Sequence, residues 1–175
     1  MNDLTINRAG RLFEAHLTVA DLDASIAFYR DRLGFELAHI VPARQAAFFW
    51  VGSRGTTMLG LWGAESGPQP TTMHLAFAAA LEEVLAAPRA LRAAGITPLD
   101  FDGVPTREPV VIAWMPAASI YFRDPDGHLL EYISMLDETP RPDGGVLTWD
   151  EWTRTRDPAT GSEARPSEYP QRNWG

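Results

Sequence analysis

The predicted elements follow the same order twice along the chain, and this repetition constrains the fold more than any other feature. Each half has a strand, a helix and then further strands, three in the first half and four strand-like segments in the second. The strings HLTV at His16 and HLAF at His74 begin the two halves in similar ways. Sequence identity between the halves is weak, so the prediction depends on the order of elements. We therefore predict an α+β chain built from paired βαβββ modules.

The first strand of the first half is predicted from alternation. Over residues 12–19, Glu14, His16 and Thr18 share one face with Leu12, whereas every side chain on the other face is apolar. We expect the apolar face to pack on helices and the other face to line a concavity. Helical spacing then predicts a helix over 22–33. Three strands are predicted after it, over 35–41, 45–51 and 56–62.

The predicted modules are joined by a short linker and followed by an arm. Residues 1–63 form the first module, the Gly- and Pro-rich residues 64–71 the linker, and residues 72–136 the second module. Its elements are predicted at 72–78, 81–94, 96–101, 110–115, 119–123 and 129–135. Residues 137–175, rich in proline and charge, are predicted to be an extended C-terminal arm. We expect Trp149 and Trp152 to anchor this arm on the body or on a second subunit.

The composition excludes several kinds of chemistry. The chain has no cysteine, which excludes disulfides and thiolates, and we expect a cytoplasmic location. All 15 basic residues are arginine, which excludes a Schiff-base or P-loop lysine. A net charge of −8 without a basic run argues against nucleic acid, and no apolar run is long enough to span a membrane. Metal or acid–base chemistry must therefore use four histidines and the carboxylates.

Three strand positions carry candidate metal ligands. Glu131 lies within the apolar run LLEYI, and a buried carboxylate needs a metal, an arginine or a backbone donor as its partner. His74 interrupts a similar run, where a histidine is more often a satisfied core residue than a ligand. The first strand adds Glu14 and His16. Together these residues suit Zn, Fe, Mn, Ni or Co better than Ca.

Three longer strings resemble the vicinal oxygen chelate superfamily. They are HLTVADLDASIAFYRDRLGFEL from His16, MHLAF from Met73 and SIYFRDPDGHLLEY from Ser119. That superfamily includes glyoxalase I, fosfomycin-resistance thiol transferases, bleomycin-resistance proteins, methylmalonyl-CoA epimerases and extradiol dioxygenases. The resemblance covers roughly residues 11–136. It implies paired βαβββ modules that form a cup-shaped, partly open mixed β-sheet barrel with flanking helices, and metal ligands on the first and last strands of each module.

The resemblance also implies individual ligands. His74 matches the ligand on the first strand of the second module, and Glu131 matches the final glutamate. Family spacing points to Glu14 as the first-strand ligand, but His16, two residues later, points the same way from a strand. Either residue or both are therefore expected to bind the metal, with His16 slightly favoured. The remaining family position falls at Gly60, which has no side chain to donate.

The expected function follows from the same resemblance. A divalent metal (Zn, Ni, Co, Mn or Fe) would act as a Lewis acid on a small organic substrate in lyase or isomerase chemistry, or in addition of a thiol co-substrate. Whichever of Glu14 and His16 does not bind metal would be the general base. Ser119 and Tyr121 match residues that bind a phosphonate in the fosfomycin-resistance enzymes. The alternatives are an Fe(II) extradiol-type dioxygenase and a metal-free drug-binding protein, and we expect a homodimer.

The two remaining histidines are predicted to lie outside the metal site. His128 follows the DPDG turn and is expected to face solvent. His39 is expected at the surface or at the rim of the cup.

Overall fold

The computed structural model describes residues 12–67 and 71–155, which form two compact units. The first unit holds residues up to His74 together with Arg123–Leu129, and the second holds Leu75–Phe122 and the residues from Leu130 onward. The turn that precedes the last predicted strand therefore belongs with the first half of the chain. Part of the predicted linker (68–70) and residues 156–175 of the predicted arm lie outside the described residues.

A four-stranded mixed sheet forms the first unit, with strand order β1-β4-β3-β2. Its strands are β1 (Glu14–Val19), β2 (Glu36–Val41), β3 (Ala46–Trp50) and β4 (Met58–Gly63). β1 pairs with β4 in parallel, whereas β2, β3 and β4 pair antiparallel. This agrees with the predicted order of one helix and three strands after the first strand.

One face of the first sheet is buried against a helix, as the alternation predicts. Helix α1 (Leu22–Ala27) begins at Asp21, whose carboxylate accepts a hydrogen bond from the Ala24 amide at 2.9 Å. It continues into a π-helical turn, Phe28–Arg32. The buried side chains of this layer are Leu17, Val19, Ile26, Tyr29, Phe49, Leu59 and Leu61. Each aliphatic side chain removed from water in this way contributes roughly 1.5–3 kcal/mol.

The second, five-stranded sheet has the order β5-β8-β7-β6-β9, which repeats the strand order of the first and adds one strand at the end. Its strands are β5 (His74–Ala78), β6 (Val110–Ile112), β7 (Ala117–Arg123), β8 (Leu129–Met135) and β9 (Val146–Thr148). The repeated strand order confirms the paired βαβββ prediction and the α+β class. The segment predicted as a strand at 96–101 instead makes isolated bridges at Leu99.

Two helices accompany the second sheet. Helix α2 (Leu81–Ala93) buries Val84, Ala87, Pro88 and Leu91. Helix α3 (Trp149–Arg154) follows β9 directly and buries Trp152 completely. The described part of the predicted arm thus contains a strand and a helix of the second unit. Among the described residues, no helix is both long and apolar enough to cross a membrane.

Candidate functional site

The open face of the first sheet carries an acid–histidine pair. β1 alternates, so Glu14, His16 and Thr18 lie on the face opposite buried Leu17 and Val19. The Nε2 atom of His16 lies 3.2 Å from Oε1 of Glu14. Both side chains remain about one-third exposed (34 % and 33 %), so a ligand can reach them. The structure therefore brings together the two residues that were predicted as alternatives for one position.

His16 occupies the space above Gly60. The two residues are register partners across β1 and β4. A Cβ atom added at Gly60 would lie 2.8 Å from Cδ2 and 3.2 Å from Nε2 of His16, and 3.1 Å from Cε1 of Phe48. A larger residue at position 60 therefore requires the imidazole to move. Gly60, at the predicted family ligand position, and His16 on β1 are therefore parts of one packing arrangement.

Aromatic side chains surround this pair. The His16 ring lies 5.6 Å from the Trp62 ring and 6.1 Å from the Phe48 ring, measured between centroids. The strand register adds Met58, opposite Glu14, and Trp50, opposite Met58, to the same face. Such a face offers apolar, polarisable contact beside two proton-accepting groups.

The second unit contains a buried polar cluster on two neighbouring strands. Ser119 and Tyr121 lie two residues apart on β7, and Glu131 lies on β8. All three are buried, with Glu131 only 4 % exposed. Burial raises the pKa of the Tyr121 phenol, and the negative charge of Glu131 raises this pKa further. Tyr121 is consequently a protonated hydrogen-bond donor at neutral pH.

His74 is less enclosed than the buried polar cluster of the second unit. His74 is the first residue of β5 and is exposed. Phe101 is 56 % exposed and packs edge-on against Tyr121, with ring centroids 6.2 Å apart. His39 is exposed on β2, which confirms the expectation of a surface position.

The predicted metal set of Glu14, His16, His74 and Glu131 stays a prediction. Across residues 12–67 and 71–155, no three His, Asp or Glu side chains form a group that could hold a metal ion. The donor chemistry of the set fits a divalent transition metal, since it combines imidazole nitrogen with carboxylate oxygen.

The prediction for His128 was wrong. Its side chain is not at the surface but 2 % exposed, and both ring nitrogens make hydrogen bonds. Nδ1 accepts from the Met73 amide at 3.1 Å, and Nε2 lies 3.2 Å from the Thr18 carbonyl oxygen. Sequence reasoning missed this residue because a polar residue after a turn carries no periodic signal of burial.

Hydrogen bonds from residues 20–29 hold the DPDG turn in place. Asp124 accepts a hydrogen bond from the Tyr29 hydroxyl at 3.0 Å. Asp126 accepts from the Ala20 amide at 2.7 Å and from the Ser25 hydroxyl at 3.1 Å. The two aspartates therefore have structural partners, and burial raises the pKa of Asp124 despite opposing interactions with His128 and Tyr29.

Comparison with known proteins identifies relatives of similar fold. The family model of the Glyoxalase/Bleomycin resistance protein/Dioxygenase superfamily matches residues 6–132. An integron cassette protein from the mobile metagenome of the Halifax Harbour sewage outfall is 32 % identical, with a TM-score of 0.62, over 73 % of this chain and 100 % of the other. A search of curated proteins gives no match.

The chain is also similar to two further solved structures of the same fold. Lactoylglutathione lyase from Agrobacterium tumefaciens is 27 % identical over 73 % of this chain and 95 % of its own, with a TM-score of 0.57. A glyoxalase/bleomycin resistance protein/dioxygenase from Nocardioides is 26 % identical over 75 % of this chain and 87 % of its own, also with a TM-score of 0.57.

Proposed function

Because this chain belongs to the Glyoxalase/Bleomycin resistance protein/Dioxygenase superfamily, we propose that it is a divalent-metal-dependent enzyme acting on a small organic substrate. The reaction class is a lyase or isomerase reaction, or the transfer of a thiol co-substrate. When bound, the metal supplies Lewis-acid polarisation of a substrate oxygen. Zn, Ni, Co, Mn and Fe all match the proposed nitrogen and oxygen donors.

The observation that carries the proposal is the Glu14–His16 pair. Two ligands bound about 2.1 Å from one metal in tetrahedral geometry lie roughly 3.4 Å apart. The 3.2 Å between Oε1 of Glu14 and Nε2 of His16 matches that spacing. Both groups are also exposed enough to accept a ligand. We propose His74 and Glu131 as the further ligands.

The protein's own residues supply proton handling and substrate orientation. If only one of Glu14 and His16 binds the metal, the other accepts a proton from the substrate, at Oε1 or at Nε2. Tyr121 is protonated at neutral pH, and its raised pKa extends this into the alkaline range, so we propose that it donates a hydrogen bond to a substrate oxygen. Ser119, on the same face of β7, is proposed as a second polar contact.

A second candidate function has support from the aromatic face of the first sheet. Phe48 and Trp62 flank His16, and Trp50 and Met58 share their face. Such a surface suits a planar aromatic substrate, as an Fe(II) extradiol-type dioxygenase or a metal-free drug-binding protein would require. Catechol cleavage needs Fe(II) and oxygen, whereas sequestration needs neither.

Activity measured with and without metal separates these functions. The protein is stripped with a chelator, reloaded with each of the five metals, and assayed with methylglyoxal plus glutathione, fosfomycin plus glutathione, and catechol plus oxygen. We expect turnover in the lyase or thiol-transfer assay that depends on metal and is lost in His16→Ala. His39→Ala is the matched control and should retain it.

Two other outcomes contradict the proposal. Oxygen uptake with catechol and Fe(II) alone would establish the dioxygenase instead. An aromatic drug that raises the melting temperature equally with and without chelator, in a protein without turnover, would establish sequestration.

The proposal also includes a cytoplasmic homodimer. The absence of cysteine supports a reducing compartment. Light scattering after size exclusion tests the dimer, which requires a mass near twice the chain's 19.3 kDa.

A further inference from the structure

A single buried histidine, His128, is bonded to two separate segments of the first unit. Nε2 lies 3.2 Å from the carbonyl oxygen of Thr18, and Nδ1 lies 3.1 Å from the amide nitrogen of Met73. The His128 amide donates to Oδ1 of Asp124 at 2.9 Å, which holds its own backbone in the turn. Every polar atom of this ring therefore has a partner.

The partners fix the tautomer of His128. The Met73 amide can only donate, so Nδ1 must be the unprotonated nitrogen. The Thr18 carbonyl can only accept, so Nε2 must carry the proton. The ring is therefore neutral, with its proton on Nε2, which agrees with its burial among backbone groups.

The two segments are those on which candidate ligands lie. Thr18 belongs to β1, two residues after His16 and on the same face. Met73 directly precedes His74, and its carbonyl oxygen accepts a hydrogen bond from the Leu129 amide at 2.8 Å. Both backbone polar groups of Met73 are therefore held: its amide by the His128 ring, and its carbonyl by the amide of Leu129.

We propose that His128 is a positioning residue that sets the backbone of β1 at His16 and the start of β5 at His74. The metal part of this inference rests on the proposed function. Its geometric part does not, since it concerns only hydrogen bonds within the first unit. When the backbone beside a metal-binding residue is held in place, the side chain of that residue can reach fewer positions.

Two substitutions separate the two hydrogen bonds. His128→Asn leaves an acceptor near the Nδ1 position, which can serve Met73, but removes the donor to Thr18. His128→Gln leaves a donor near the Nε2 position for Thr18 but removes the acceptor for Met73. Tyr29→Phe is the control, because it removes the hydrogen bond to Asp124 in the same cluster and leaves both ring hydrogen bonds of His128 in place.

Nuclear magnetic resonance of the chelator-treated protein tests the geometry without metal. We expect the nitrogen shifts of His128 to show the proton on Nε2. We expect the ring signals of His16 to move in His128→Asn, those of His74 to move in His128→Gln, and neither to move in Tyr29→Phe. Unchanged His16 and His74 signals in both His128 variants would overturn the inference, whatever the metal content.

Titration with Co²⁺ then tests the link to the metal. We expect the affinity for Co²⁺ to be roughly tenfold weaker in each His128 variant. This is the typical effect of removing a residue that orients metal ligands without binding the metal itself. Tyr29→Phe should stay within about twofold at a temperature where all variants are folded. Equal affinity in the wild type and both variants would overturn the inference, and so would an equal loss in Tyr29→Phe. No Co²⁺ binding by the wild type would instead defeat the proposed function, leaving the ring signals to decide the positioning.

Discussion

The imidazole of His16 lies against the α-carbon of Gly60, so closely that a methyl group at position 60 would be 2.8 Å from Cδ2 of His16. Strand register makes this contact unavoidable, since the two residues are partners across β1 and β4. The resemblance to the superfamily predicts a ligand position at Gly60, where this chain has no side chain. In the structure the His16 ring fills the space that a side chain at position 60 would need.

The first prediction is that Gly60→Ala destabilises the protein through His16. Overpacking of this kind costs about 1–3 kcal/mol in the free energy of unfolding. In a His16→Ala background the same change should cost less, because the crowded ring is gone. Urea unfolding of the wild type, both single variants and the double variant gives the coupling energy.

Gly63→Ala provides the control for this cycle. A Cβ there would meet Gln45, at 2.9 Å from Oε1, instead of His16. Its cost should therefore be the same with and without His16. If Gly60→Ala and His16→Ala were additive, the contact would not be the reason for the glycine.

Trp152 is predicted to be essential for stability. It is completely buried, and the guanidinium of Arg141 lies 4.0 Å above its ring. Trp152→Ala should lower the free energy of unfolding by about 3–5 kcal/mol. Trp114 is 60 % exposed, so Trp114→Ala should change it by no more than about 0.5 kcal/mol. Similar urea midpoints for the two variants would show that the C-terminal segment is not part of the folded core.

The stability of the protein should fall at high pH because of Tyr132. Burial, together with the negative charge of Glu83, raises the pKa of this phenol to about 12. In the unfolded chain the Tyr132 phenol has the ordinary pKa of about 10. As the pH rises, the phenol therefore ionises in the unfolded chain before it does in the folded protein, and this favours unfolding. The stability contributed by Tyr132 is therefore fully present below pH 10 and lost as the pH rises through about 12.

Tyr132→Phe tests this pH dependence. Its ring keeps the contacts with Phe122 and Phe77 but cannot ionise. Between pH 9 and pH 12 the wild type should lose more unfolding free energy than the variant, by about 2 kcal/mol. Parallel curves for the two proteins would contradict the assignment.

Much of the fold was predictable because it depends on local patterns. The alternation around Glu14 and His16 identified the open face of β1, and helical spacing identified α1 with its start at residue 22. A helix end and a strand face are both decided within a few residues, so the sequence carries these signals directly. The repeated strand order followed from the repeated element order.

One feature that sequence reasoning missed, the burial of His128, depends on distant partners. His128 is buried because it meets Thr18 and Met73, which are far away in the chain and leave no trace near the DPDG turn. The helix at Trp149–Arg154 did have a readable signal. Thr148 and Glu151 form a capping box, with the Glu151 amide 3.2 Å from the Thr148 hydroxyl and the Thr148 amide 2.9 Å from the Glu151 carboxylate.

The central claim is that the chain binds a divalent metal through Glu131. The most direct test is elemental analysis of the wild type, Glu131→Ala and Glu131→Gln, each purified without added metal. Glu131→Gln keeps the size of the buried side chain and one acceptor oxygen but removes the negative charge, so a loss there cannot be ascribed to a cavity. Glu82→Ala, at an exposed position of α2, is the control. We predict about one divalent metal ion per chain in the wild type and in Glu82→Ala, and strong depletion in both Glu131 variants. Glu131 variants that hold as much metal as the wild type would contradict the proposed metal site.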